Sequence, residues 1–283
     1  MQSIVQQTDE WLALRKSKIG ASDAPVIMEV SPWKTPYQLW LEKISSVKET
    51  KKTASMQRGI DLETKAREEF EKLTGIFMIP QVVFHKSYDW MMASLDGMDI
   101  EQKSIVEIKC PNKIDHQTAL SGNIPNKYYP QLQHQMEVCE LDSAYYFSFD
   151  GENGTLLNIP RDDIYIKKML EKEVEFYECM QNFIAPETNE KDYTITNDDL
   201  TSFLASKLID TKHNIRELQK QEKEMTSDLL LMCGYKNTQG RNFKITKTMR
   251  KGFVDYTKIP VLEHMDLEQY RKDPIDIWRI TNG

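Results

Sequence analysis

The sequence predicts a mixed α/β (α+β) domain followed by a mainly helical extension that ends in a β-hairpin. Three observations carry this. Strand-like and helix-like runs alternate through the first two thirds of the chain, as in domains that pack helices on a mixed sheet. The 283 residues are 40% hydrophobic and 29% charged, the composition of a folded rather than a disordered chain. A chain this long buries roughly three quarters of its unfolded surface, so it needs no disulfide or metal staple. Third, the polar stretch 185–199 (APETNEKDYTITNDD) reads as a linker. It divides a core, 1–187, from an extension, 188–283.

The elements follow in order. Thr8 or Asp9 caps a first helix carrying Trp11, Leu12, Leu14 and Arg15. Ser22 stands where a second helix starts, in GASDAPVIM, and Thr35 caps a third, with Pro36 at its first position. The polar run 45–54 reads as a loop. A helix is expected over 57–73, with Ala66, Phe70 and Leu73 as its apolar stripe and Gly75 as its stop. Strands are expected at 81–85, 90–95 and 104–110, the last two separated by a turn at Asp96-Gly97. A helix over 127–140, strands at 143–149 and 155–159, and a helix over 162–183 complete the core.

In the extension, Leu204, Leu208, Ile215, Leu218, Met225, Leu229 and Met232 recur with 4-3 spacing, and polar Thr211 and Glu222 fill the gaps. A helical hairpin packed on the core accounts for this better than a free coiled coil, because two stripe positions are polar. Hairpin-like runs at 241–249 and 253–259 end the chain.

The net charge is −7 and the pI about 5.4, which by itself argues against a nucleic-acid binder. The average conceals a basic segment. Residues 235–258 carry seven basic side chains, among them Arg241, Lys244, Lys247, Arg250 and Lys251, against one acid. This segment is either a solvated hairpin or a DNA contact. No apolar run approaches the ~20 residues that span a bilayer, and the N-terminus lacks the pattern of a signal peptide. Four cysteines at 110, 139, 179 and 233, with no CxxC pair, speak against zinc and against a secreted disulfide framework. They read as reduced cytosolic thiols.

The chemistry centres on Asp96, Glu107 and Lys109. On a strand, Glu107 and Lys109 share one face while Val106, Ile108 and Cys110 take the other. If the strand ending at Asp96 pairs with this one, two carboxylates lie beside one ammonium. Such a hard-oxygen site suits Mg²⁺, which polarises a phosphoryl oxygen and activates a water. Lys109 would orient or deprotonate that water. An E-x-K pair on a strand is more often a solvated face, so two further features matter. Glu63 lies on the apolar stripe of its helix, where a lone carboxylate is costly unless the helix is rotated to put it at the solvent edge. Gln131 and Gln135 stand one turn apart, spaced to grip a sugar–phosphate backbone or to be ordinary surface amides.

With these residues in place, the segments WLALRKSKIGASDAPVIM, RGIDLETKAREEF, MMASLDG, VEIKCP and YYPQLQHQMEV, in that order, resemble the YqaJ-type viral recombinases. That family includes phage lambda exonuclease and falls in the PD-(D/E)xK nuclease superfamily. The likeness spans most of residues 8–183, and the tail from 200 to 280 resembles the C-terminal extension of longer members. It implies a restriction-endonuclease-like mixed central sheet flanked by helices. It also implies Asp96, Glu107, Glu63 and the Ile108 carbonyl as metal ligands, and Lys109 as the catalytic lysine. Arg15 and Ser22 match a 5′-phosphate anchor, and Gln131 matches the glutamine of the helix near the active site. Leu95 stands where the superfamily has proline; that proline does no chemistry.

The activity implied is a Mg²⁺-dependent (Mn²⁺ as the alternative ion) 5′ to 3′ exonuclease. It would resect one strand of double-stranded DNA ends and leave 3′ tails. The implied partners are a single-strand annealing protein and further copies of the chain in a ring-shaped trimer, with no membrane, no zinc and no iron–sulfur cluster. The implied setting is a bacterial host cytoplasm. Two rivals remain at this stage: a restriction-like endonuclease, and a non-catalytic DNA-binding or assembly module on the same fold.

Overall fold

A computed structural model describes residues 4–6, 8–45, 54–265, 267, 270–272 and 275; most of the polar run 45–54 lies outside the described residues. The chain forms two compact units, Met1–Thr194 and Ile195–Gly283. No helix among the described residues is long and apolar enough to cross a membrane.

The first unit contains helices α1 (Asp9–Ser17), α2 (Ala24–Ile27), α3 (Pro36–Ile44), α4 (Ala54–Thr74), α5 (Lys113–Leu120), α6 (Tyr129–Cys139) and α7 (Asp163–Asn182). Its strands are β1 (Ile19–Gly20), β2 (Ile79–Phe84), β3 (Met91–Met98), β4 (Ile105–Lys109), β5 (Ser143–Phe149) and β6 (Gly154–Pro160). They form one mixed sheet in the order β1-β3-β4-β5-β6, with β2 also on β3. The β1–β3 and β4–β5 pairs are parallel, the others antiparallel. This is the mixed sheet flanked by helices that the family resemblance implies.

Strand alternation gives the sheet two apolar faces. Ala66 and Phe70 of α4 pack on Val106, Ile108, Phe147 and Phe149, and Phe70 meets Phe147 edge-on at 5.7 Å. On the opposite face, Leu132 and Met136 of α6 pack with Ala93, Leu95, Ile105 and Tyr146. Helices on both faces thus hold β3 and β4 rigidly, and the candidate site is built on those two strands.

Several expectations are corrected here. Asp96-Gly97 is not a turn: β3 runs through both residues to Met98, and the turn follows, with Asp99 Oδ1 accepting from the N–H groups of Lys103 and Ser104. Gly97 is there for packing, since a Cβ would lie 2.7 Å from that of Met78 and 2.9 Å from Val106 Cγ1. Ser22 does not cap α2; its N-cap is Asp23, without a side-chain cap bond. Leu73 is exposed rather than part of the α4 stripe. Helix α5, capped by Asn112, was missed because its buried residues are Asp115, His116 and Ala119 while Ile114 and Leu120 face solvent. Thr8 and the Thr35 capping box with Gln38 are as expected.

Unit 1 runs past residue 187. A short turn at Glu190–Asp192 is tied to it by hydrogen bonds from the Thr35 hydroxyl to Asp192 and from the Gln38 amide to the Lys191 carbonyl.

In the second unit, α8 (Asp199–Met232) is one continuous 34-residue helix rather than a hairpin, and none of its residues is buried. Asp198 caps it by accepting from Thr201. The terminal hairpin is shorter and earlier than the periodicity suggests: β7 (Thr238–Gln239) pairs with β8 (Lys244–Ile245). The run 253–259 holds only a 3-10 turn at Tyr256–Lys258.

Candidate active site

The pairing of β3 with β4 is recorded at Met98↔Ile105 and Gly97↔Val106 and stops there. At the next position the strands part, and the Asp96 side chain fills the gap: its Oδ2 accepts from the Ile108 N–H at 2.8 Å. A carboxylate thereby stands in for a ladder bond at the point of divergence. Arg67 of α4 donates from Nε to the Asp96 carbonyl (3.0 Å) and from Nη2 to Glu63 Oε1 (2.7 Å). Glu63 is therefore bound to a side chain that also holds Asp96.

Glu107 points to the α6 face and is 1% exposed. One oxygen accepts from Gln131 Nε2 at 2.6 Å and pairs with Lys109 Nζ at 2.5 Å. The other accepts from Gln135 Nε2. Both glutamines are buried. This corrects the expectation that Gln131 and Gln135 grip a DNA backbone: their amides face inward and orient a carboxylate. Helix α6 can bury so many polar side chains because each makes at least one hydrogen bond, although Gln135 Oε1 is buried without one. Gln133 bonds the Pro160 carbonyl, and His134 sits between Glu173 and the Met92 carbonyl.

The electrostatics of the cluster are lopsided. Burial, with Glu107 and Glu63 nearby, pushes the Asp96 carboxyl well above its usual range against the counter-pull of Lys109. For Lys109, burial works against the charge, but Glu107 and Asp96 outweigh it and raise its pKa above the ordinary lysine value. In this arrangement Lys109 is an ammonium paired with Glu107 and placed beside Asp96. Burial pushes the neighbouring Cys110 thiol up to about 11, so it offers no thiolate nucleophile near neutrality.

The carboxylates of Asp96 and Glu107 beside Lys109, with Glu63 joined to Asp96 through Arg67, are oxygen donors of the kind a hard divalent cation takes. Protein donors hold Asp96 Oδ2, Glu63 Oε1 and both Glu107 oxygens, and no cluster of three acidic, His or Cys side chains among the described residues stands ready-arranged around an ion.

Arg15 and Ser22 are brought together: Arg15 Nη2 donates to Ser22 Oγ at 3.0 Å on the exposed surface. Beneath them, the buried Lys43 ammonium donates to the carbonyls of Arg15 (2.6 Å) and Lys18 (2.8 Å) and pairs with Asp23. Asp23 in turn accepts from the Gly20 N–H at 2.9 Å. The pair of residues is thus held from below. Gly20 pairs with Met92, four residues along β3 from Asp96, about 13 Å at the usual strand rise.

Arg241, Lys244, Lys247, Arg250 and Lys251 are all exposed in the second unit. Sequence reasoning missed Arg67, Lys43 and Tyr128, whose ring is 5.3 Å from the ammonium groups of both Lys109 and Lys127. The i, i+4 spacing of Glu63 and Arg67 was the one visible signal.

A mixed sheet covered by helices on both faces, with Asp, Glu and Lys gathered where two strands part, defines a nuclease of the restriction-endonuclease-like class. The comparisons with known proteins agree. The profile of the YqaJ-like viral recombinase domain matches residues 10–142. The uncharacterized protein YqaJ of Bacillus subtilis (strain 168) is 30% identical over 244 residues, covering 78% of this chain and 76% of that protein. Among solved structures, an alkaline exonuclease (LHK-Exo) from Laribacter hongkongensis is 27% identical, with a TM-score of 0.55 over 62% of this chain and 94% of the other. The same enzyme in complex with dAMP gives a TM-score of 0.56. The chain belongs to the YqaJ-like viral recombinase family.

Proposed function

We propose that this chain is a Mg²⁺-dependent exonuclease that degrades one strand of double-stranded DNA ends in the 5′ to 3′ direction. It releases 5′-mononucleotides and leaves 3′ single-stranded tails for recombination by strand annealing. The observation that carries the reading is the convergence of Asp96, Glu107 and Lys109 at the β3–β4 divergence. The dAMP complex of the Laribacter hongkongensis exonuclease supports a mononucleotide product.

Asp96, Glu107, Glu63 and the Ile108 carbonyl are the oxygens that would hold Mg²⁺, or Mn²⁺ in its place. When bound, the ion polarises the scissile phosphate and lowers the pKa of a water. Gln131 and Gln135 fix the plane of the Glu107 carboxylate, which limits how far it must turn to meet an ion. Lys109, held by Glu107, donates to the attacking water or to a phosphoryl oxygen as negative charge develops. Arg15 and Ser22 supply a guanidinium fork and a hydroxyl for a terminal 5′-phosphate. By the same family likeness, the chain works as a ring-shaped trimer beside an annealing protein; a monomer by light scattering at working concentration would refute the ring.

The test is digestion of a linear duplex labelled at its 5′ or 3′ end, with Mg²⁺ or EDTA, beside Lys109→Ala and a closed circle. Early release of 5′ label as mononucleotide, abolished by EDTA and by the substitution, is expected. Cutting of the closed circle would replace this reading with an endonuclease.

A further inference from the structure

Trp33 is unexplained by either the core or the catalytic cluster. It lies in the loop between α2 and α3, its indole is 68% exposed, and it belongs to none of the buried apolar clusters. Yet it is held. The Lys127 ammonium stands 4.8 Å from its ring centroid, and Lys127 is itself pinned by Asp115 at 2.7 Å, both side chains being largely buried. The loop is tied on either side: Trp33 N–H donates to Ser31 Oγ at 3.3 Å, and Lys34 pairs with Glu42.

The position is as informative as the exposure. Lys127 is 5.3 Å from the Tyr128 ring, and Tyr128 is 5.3 Å from the Lys109 ammonium. Three short contacts therefore link the indole to the candidate catalytic lysine. Bases along a strand rise about 3.4 Å apiece, so a strand with a phosphate at Lys109 would pass bases by Trp33 within a few nucleotides. An exposed large aromatic with one face steadied by a fixed cation is preorganised to stack. Every nucleobase has a face to offer it, whatever the sequence.

We propose that Trp33, steadied by Lys127, is a stacking platform for an unpaired nucleobase of the DNA strand whose backbone lies at Asp96, Glu107 and Lys109. This rests on the nuclease reading above and adds to it a base-binding subsite.

The experiment measures binding of a labelled duplex with a short unpaired end, by fluorescence anisotropy in Ca²⁺, and KM and kcat for its digestion in Mg²⁺. It compares the wild-type chain with Trp33→Ala and Trp33→Phe. Stacking predicts that Trp33→Ala weakens binding and raises KM by about tenfold or more with kcat little changed, while Trp33→Phe retains most of the affinity. Abasic sites walked along the unpaired end should, at one position, bring the wild type down to the Trp33→Ala level and leave that variant unaffected.

Unchanged binding by Trp33→Ala, a Trp33→Phe as poor as the alanine variant, or an abasic penalty equal in both proteins would each overturn the platform while leaving the nuclease reading intact. A wild-type chain that neither binds nor digests the duplex would overturn both.

Discussion

The two units use apolar residues in opposite ways. In the first, Phe70 and Phe147 are 0% exposed and lock α4 to the sheet. In the second, α8 repeats an apolar stripe with heptad regularity, yet Leu218 is 63% exposed and no residue of the helix is buried. Their ion pairs differ in the same sense. Lys43–Asp23 is closed off from solvent and carries further bonds to two carbonyls, whereas Lys258–Asp255 sits in water. The lesson is that periodicity specifies a helix, but only packing partners make its stripe a source of stability.

That contrast is sharpest in activity. Lys109→Ala in the first unit should lower the rate of DNA digestion by about 10²–10³-fold or more, measured by release of labelled mononucleotide. Replacing Arg241, Lys244, Lys247, Arg250 and Lys251 together by Ser should leave that rate and the salt dependence of DNA binding unchanged. Each true phosphate contact would instead reduce the slope of log K against log salt by about 0.9. A reduced slope would make the second unit a DNA-binding arm.

Next in size are the stability effects. Phe70→Ala should destabilise the protein by about 3–5 kcal/mol through a cavity under the sheet, whereas Leu218→Ala should shift denaturation by no more than about 0.5 kcal/mol. Lys43→Ala strands Asp23 as a buried, unpaired charge and should cost about 3–5 kcal/mol; Lys258→Ala should have no measurable effect. Chemical denaturation reads all four. Equal losses at Phe70 and Leu218 would abolish the distinction between the units.

The smallest effect concerns pH. His134 has Glu173 at 2.7 Å on Nδ1 and the Met92 carbonyl at 3.0 Å on Nε2, an arrangement in which an imidazolium donates from both nitrogens. Burial opposes the charge, but Glu173 and the Met92 carbonyl outweigh it and raise the pKa. A raised pKa means that the contribution is fully present below the unfolded value of about 6.5 and is lost as pH rises through the higher folded value. His134→Gln should therefore flatten the fall in melting temperature on the alkaline side. An unaltered pH profile would refute the charged pair.

The helices that sequence reasoning found, α1, α3, α4, α6 and α7, all carry a local signature: a cap, a first-turn proline or a regular apolar stripe. Helix α5 lacks the stripe and was missed. Asp96, Glu107 and Lys109 were legible because strand alternation places two of them on one face and the SLDG segment supplies the third. Gln131 and Gln135 were legible as a pair but misassigned, since nothing local says whether a glutamine one turn from another faces solvent or a buried carboxylate.

By itself, then, the sequence determined the alternation of elements, the caps at Thr8 and Thr35, and the residues from which an acidic, lysine-bearing site could be made. These follow from backbone propensities and side-chain periodicity, which act over a few residues. Only the tertiary structure decided that β3 passes straight through Asp96-Gly97, that Glu107 is gripped by α6, that Lys43 supports Arg15 from beneath, and that the α8 stripe stays exposed. Each of those depends on which distant surfaces meet and on whether a buried polar group finds a partner there, and neither is written in the local spacing of residues.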